Sequence, residues 1–322
     1  MKTEKRGVFH SDILRAVLVL SLTFLAVALV PFIGPIVVIM TPLPVLYFCL
    51  RLGRKDGLTA LGASMLAVSG ILGLLGMNPS LSVMLGIGFA GVMLAEVLKR
   101  RYSLEKTLAV SSVTLFAFGI GLLTFHALQS GAAPLEFLEI HVAHMVDENI
   151  RLYEKMNFPP DQILLLRESS PQIARFFTGI FPALALSGAI VTVWLNLLAG
   201  RRFLQRNIPG FPDFGDLTSW KAPERLVWLL IAAGGMVLTE SDLLYVIGMN
   251  LLIVCALIYL GQGLAIAGFL FRQRKVPFVF RAIFYALLLV QQYLLIVVIA
   301  FGLFDIWIDF RKRIGAVPEA AA

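Results

Sequence analysis

The chain has 322 residues, 59% hydrophobic and only 15% charged, too little charge to coat a water-soluble fold of that length. A net charge of +7 would point to nucleic acid if it were spread over a soluble surface. Here the basic residues stand in clusters at the ends of apolar stretches, which excludes that partner and makes anionic headgroups the natural ones.

Nine stretches carry few or no charges: 13–30, 36–50, 58–76, 81–98, 107–128, 173–199, 226–238, 243–271 and 282–304. A helix needs about 20 apolar residues to cross about 30 Å of hydrocarbon. The expectation is an all-α, polytopic transmembrane helix bundle of eight or nine spans. Basic clusters close every second stretch: Lys2/Lys5/Arg6, Arg51/Arg54/Lys55, Lys99/Arg100/Arg101/Lys106, Arg201/Arg202/Arg206 and Arg272/Arg274/Lys275. By the positive-inside rule these loops are cytoplasmic, as is the N-terminus.

In chain order, the start imitates a signal peptide, with basic residues, an apolar run and then Ala26, Val27 and Ala28. Pro31 to Pro35 read better as an outer turn that sends the chain back into the bilayer. Residues 1–200 form a six-helix membrane module that contains an outer polar insert, 129–170. A cytoplasmic link, 201–222, leads to C-terminal membrane helices, 223–310, and a tail, 311–322. Taking every stretch as a crossing leaves the tail outside, where Arg311, Lys312 and Arg313 contradict the charge rule. The stretches least secure as crossings are 226–238, which is short, and 282–304, interrupted by Gln291 and Gln292. Glycines at 70, 73, 76, 86, 88, 91, 261, 263 and 268 predict close helix packing. Cys49 and Cys255 lie inside apolar stretches and read as packing residues, not as a disulfide.

Two groups of residues could carry chemistry. In the insert, 135–156 is an amphipathic helix with Leu135, Leu138, Val142, Val146, Tyr153 and Met156 on one face. Its polar face holds His141, His144 and Glu148, spaced closely enough to share a divalent metal; a solvated face explains the same residues. That metal site would be the basis of an outer-face enzyme. Otherwise the chain is read as a non-enzyme with no cofactor, since phosphate-loop, serine-hydrolase and His-Glu-x-x-His patterns are absent. Within the last spans, Asn250, Tyr259, Gln262, Tyr285, Gln291 and Gln292 place amides and phenols where polar groups are costly. They could line a site for a small neutral ligand, or bond one helix to the next. No charged pair is read deep in a span, as a proton-driven pump would need.

Three segments carry a family resemblance: Asn196 to Arg206, Trp220 to Pro223, and Gly302 to Arg311. They resemble the YybS-like family of bacterial membrane proteins, long described as a domain of unknown function. That family is similar in outline to the substrate-binding subunits of energy-coupling-factor vitamin transporters, six-helix proteins with both termini inside. Their docking Ala-x-x-x-Ala pattern on the first helix is absent here, and Ala63/Ala67 stand on the third stretch instead. The resemblance implies a small-molecule transporter, or its substrate-binding subunit, that has coupling and ATPase subunits as partners. The alternative is a non-transporting scaffold that docks cytoplasmic partners through its basic loops.

Overall fold

A computed structural model describes residues 2–29, 38–205, 208 and 211–315, with side chains from residue 11 to residue 313 of these. The described residues form twelve α-helices and one 3-10 turn, with no strand. They are α1 (Lys2–Leu29), α2 (Pro42–Arg51), α3 (Arg54–Leu74), α4 (Leu81–Lys99), α5 (Leu104–Ser130), α6 (Pro134–Lys155), α7 (Pro160–Phe203), α8 (Leu226–Val237), α9 (Asp242–Gln273), α10 (Phe278–Val290), α11 (Gln292–Ile308) and α12 (Phe310–Gly315). The 3-10 turn is Leu217–Ser219. The expected outer turn at 31–35, Arg206 and the tail beyond 315 lie outside the described residues.

Six described helices are long and apolar enough to cross a bilayer, and the pair α10–α11 makes a seventh if it counts as one span. The expected eight or nine differ for a physical reason. Apolar length does not make a crossing where the backbone breaks. The second stretch is a ten-residue helix, α2, and the seventh, α8, has twelve residues. The last stretch is two helices bent by 108° at Gln291, whose backbone leaves the helical region with φ −104° and ψ 98°.

The chain divides into two compact units, Met1–His141 with Gly188–Asp213, and Val142–Ser187 with Phe214–Ala322. In the first, α1 packs on α3, α2 on α3 and α4, and α4 on α5. Gly88 and Gly91 of α4 permit this. A β-carbon at Gly91 would strike Val45 and the Pro42 carbonyl, and one at Gly88 would strike Met65. Gly70, Gly73, Gly76 and Gly86 face open space instead. Ser103 caps α5 by accepting from the Lys106 amide, and Gly131 ends it in the left-handed conformation at φ 75°.

The insert forms α6 and the start of α7. α7 has 44 residues with Pro171 and Pro182 inside it, so the polar segment after Pro160 is continuous in helix with the sixth apolar stretch. In the second unit, Arg167 bonds Glu154 at 2.6 Å, fastening the end of α6 to the start of α7. On α6, Leu135, Tyr153 and Met156 are exposed and Ile150 is the buried residue. The other apolar positions, Leu138, Val142 and Val146, are half-buried, so the expected apolar face is only partly uncovered.

The second unit is organised around α9. α8 packs along its first half, where a β-carbon at Gly248 would meet the Ala233 carbonyl. The half that ends at Gln273 is covered by the extended segment before α8 and by α11.

Candidate functional site

The polar residues of the last spans do not converge on one cavity, and the fold gives each a separate setting. Asn250 accepts from the Ala183 amide at 2.8 Å and donates to the Gly179 carbonyl at 2.8 Å. These two backbone groups stand four apart on α7, beside Pro182, which lacks an N–H to donate. The Asn250 amide therefore bridges the helix ladder where a proline disturbs it. Its remaining proton goes to the Val246 carbonyl. Tyr285 sits edge-on to Phe271 and is 42% exposed. Gln291 occupies the break between α10 and α11, and both it and Gln292 are exposed.

Tyr259 and Gln262 behave differently. Both are buried, at 0% and 1% exposure, and both belong to a polar centre built from four segments. The first is the strand-like approach to α8, which descends along α9. Asp216 receives Arg272 Nη2 at 2.6 Å, Thr218 packs over Gly268, and the Ala222 amide donates to Gln262 Oε1 at 3.0 Å. Ten residues of α9, about 15 Å, thus lie beneath 216–222. This explains why α8 is short: an extended segment completes its path along α9.

The second segment is α11, which runs antiparallel to this half of α9. A β-carbon on Gly263 would collide with the Val298 carbonyl, and one on Gly302 with the Tyr259 carbonyl. Only glycine at both positions allows backbones this close. The approach brings Asp305, 1% exposed, onto Gln262, whose Nε2 donates to Asp305 Oδ2 at 3.0 Å. Gln262 thereby joins the link to α11, accepting on one side and donating on the other.

The third segment is the tail. The chain turns at Asp309 with φ 46°, and the Phe310 amide donates to Asp305 Oδ1 at 2.9 Å. Arg311, 8% exposed, lies 3.6 Å from Asp305 and donates through Nη2 to the Trp220 carbonyl at 2.8 Å. Lys221 and Lys312 flank Asp309 at 3.1 and 3.2 Å. Burial raises the Asp309 pKa, but the hydrogen bonds from these two lysines outweigh it and hold the carboxyl below its usual range.

The tail therefore lies beside the link, through Arg311 to the Trp220 carbonyl and Lys221 to Asp309. Asp305 and Arg311 form a buried ion pair at the end of the last apolar stretch, with Arg311 beyond it in the tail. Two sequence features accompany it, a lone acid in an otherwise uncharged helix and a basic cluster shortly after, but neither names the other as its partner.

Four buried atoms of this centre have no hydrogen-bond partner among the described residues: Arg311 Nε and Nη1, Trp220 Nε1 and the Tyr259 hydroxyl. Outside the centre, Asp216 is held down to about 2, first by the hydrogen bond from Arg272 and then by those from Thr218.

The insert residues are arranged more loosely. His141 Nδ1 lies 2.7 Å from the Phe137 carbonyl, and His144 Nδ1 is 3.8 Å from Glu148 in an exposed pair. Among the described residues no group of three or more His, Cys, Asp or Glu is placed to hold a metal.

The first unit offers two further features. A cavity of about 150 Å³ lies between α1, α3 and α4, walled by Phe24, Val68, Leu72, Met84 and Ile87, with Ser80 at its edge. Ser82 and His126 are joined at 2.6 Å, and the buried Asn196 donates to the Ile39 carbonyl at 2.6 Å. Both cysteines are free and buried.

The family model described as "Predicted membrane protein (DUF2232)" matches residues 18–306. The chain belongs to that family. The YybS-like resemblance agrees with this membership. No curated protein and no solved structure matches the chain. It is a membrane protein of several apolar helices, and the lipid bilayer is its environment.

Proposed function

We propose that the protein is a small-molecule transporter, or the substrate-binding membrane subunit of one, in the bacterial inner membrane with its N-terminus cytoplasmic. The observation that carries this is the Asp305–Arg311 pair, buried where a broken helix pair returns onto α9. Ionisable residues inside membrane segments are expensive and mark substrate or ion pathways by default. Discontinuous helices are where transporters build such sites. With no phosphate-loop pattern in the sequence, energy would come from coupling and ATPase subunits, as the outline similarity to energy-coupling-factor subunits suggests.

Deletion of the gene, followed by uptake assays across a metabolite and vitamin panel, tests the proposal. Reduced uptake of one solute, restored by the wild type and not by Asp305→Asn, is the expected result. Unchanged uptake of every solute, with no ligand bound by the purified protein, would remove it.

A scaffold that docks cytoplasmic partners is the second reading. It is favoured by the ion pairs Arg272–Asp216 and Lys221–Asp309, which stiffen the charged surface of the link. Co-purification separates the two: an ATPase supports transport, and unrelated soluble proteins support the scaffold.

A further inference from the structure

The centre around Arg311 is unbalanced in two respects. Its unpartnered atoms can all donate a hydrogen bond: Arg311 Nε and Nη1, Trp220 Nε1 and the Tyr259 hydroxyl. Trp220 packs against the cluster of Tyr259, Cys255 and Ala222, and Arg311 is bonded to the Trp220 carbonyl, so these donors belong to one neighbourhood. The charges are also uneven. Arg311, Lys221 and Lys312 are three cations facing two carboxylates, Asp305 and Asp309. Asp216 contributes to the field at Arg311 but is already paired with Arg272.

Buried donors are satisfied in folded proteins, and each exception calls for a partner. A cation would be repelled here, and a neutral apolar ligand would leave the donors unmet. An anion with acceptor oxygens meets both needs, and charge-assisted bonds from a guanidinium are the strong kind.

We propose that this centre binds an oxyanion, a carboxylate or phosphate, held by Arg311 with Trp220 Nε1 and the Tyr259 hydroxyl as further donors. The inference deepens the transport reading and rests on it for its biological meaning: the cargo is anionic, not the neutral molecule expected from the amides alone. The anion has two sources, a soluble metabolite or a phospholipid headgroup.

The full chain, purified in a neutral detergent and held at constant ionic strength, is titrated with acetate, inorganic phosphate or short-chain phosphatidylglycerol. Glycerol serves as the uncharged control. The thermal unfolding midpoint is read for each. A saturable rise with acetate or phosphate assigns a soluble anion, and a rise confined to phosphatidylglycerol assigns the headgroup. Either rise should vanish in Asp305→Asn/Arg311→Gln, which removes the guanidinium while keeping the buried pair neutral. No rise with any oxyanion, an equal rise with glycerol, or a rise that persists in the double variant would overturn the proposal.

If the double variant does not fold, Trp220→Phe keeps the ring bulk and removes only the donor. It should weaken binding several-fold; unchanged binding there also overturns the proposal. Binding without uptake into reconstituted vesicles would leave this site standing and remove the transport reading. Uptake of a neutral solute that ignores the Arg311 substitution would do the reverse.

Discussion

The two units handle polarity in opposite ways. In the first, Ser82 meets His126, Asn196 donates to the Ile39 and Thr192 carbonyls, the charged contacts such as Asp12 with Arg51 are part-exposed, and a cavity is walled by apolar residues. In the second, an amide, a carboxylate and a guanidinium are buried together and joined through backbone groups of a link and a tail. The first unit can lose a polar side chain and remain packed. The second has its chain path written into its polar contacts, so losing one partner strands another.

That contrast can be broken most directly at Asp305. Asp305→Ala leaves Arg311 buried without its counter-ion, and loss of one partner of a buried pair costs about 3–5 kcal/mol. The expected outcome is a large drop in unfolding midpoint, much of it recovered in Asp305→Ala/Arg311→Met. A drop no larger than that of Asn196→Ala in the first unit would erase the distinction.

Gly302→Ala comes next. Its β-carbon would press on the Tyr259 carbonyl, and overpacking of this kind costs about 1–3 kcal/mol. Gly70→Ala, which meets nothing within 4 Å, should be neutral or raise stability by up to about 1 kcal/mol through helix propensity. Thermal unfolding of the two variants side by side checks the sign.

Asn250→Ala should cost about 1–2 kcal/mol, with three hydrogen bonds lost at about 0.6 kcal/mol each on average in a membrane. Replacing Pro182 by Ala in the same background should recover part of that loss, because the ladder on α7 then closes by itself.

The smallest effect is expected at Asp216. Its folded pKa is about 2 against an ordinary 3.8, so its stabilisation is present above pH about 4 and is lost as pH falls towards 2. The pair is half-exposed, and such pairs contribute about 0–1 kcal/mol. The unfolding midpoint should fall across that pH window by slightly more in the wild type than in Asp216→Asn, and an equal fall would show that the pair contributes nothing.

Much of the architecture was legible in the residues. Long apolar runs announce helices, and Gln291 and Gln292 mark the weak point at which the last run bends. What a run of hydrophobicity cannot report is which helix it packs on, so the packing of α11 against α9 was invisible. Tyr259 and Gln262 were legible as polar residues placed where they are expensive. Asp305 and Arg311 were not, because their pairing depends on a turn at Asp309 and on two glycines meeting across helices. Asn250 was visible as an oddity, but its role is set by Ala183, next to Pro182, on a helix 67 residues away along the chain.

The return of α11 onto α9 changes what the cell must do to insert this polypeptide. Arg311, Lys312 and Arg313 would each cost about 2.5–3.5 kcal/mol at the middle of a membrane helix, and a crossing by α11 would have to drag all three through. In the fold Arg311 meets Asp305 and the Trp220 carbonyl, which offsets part of that cost for the first of the three.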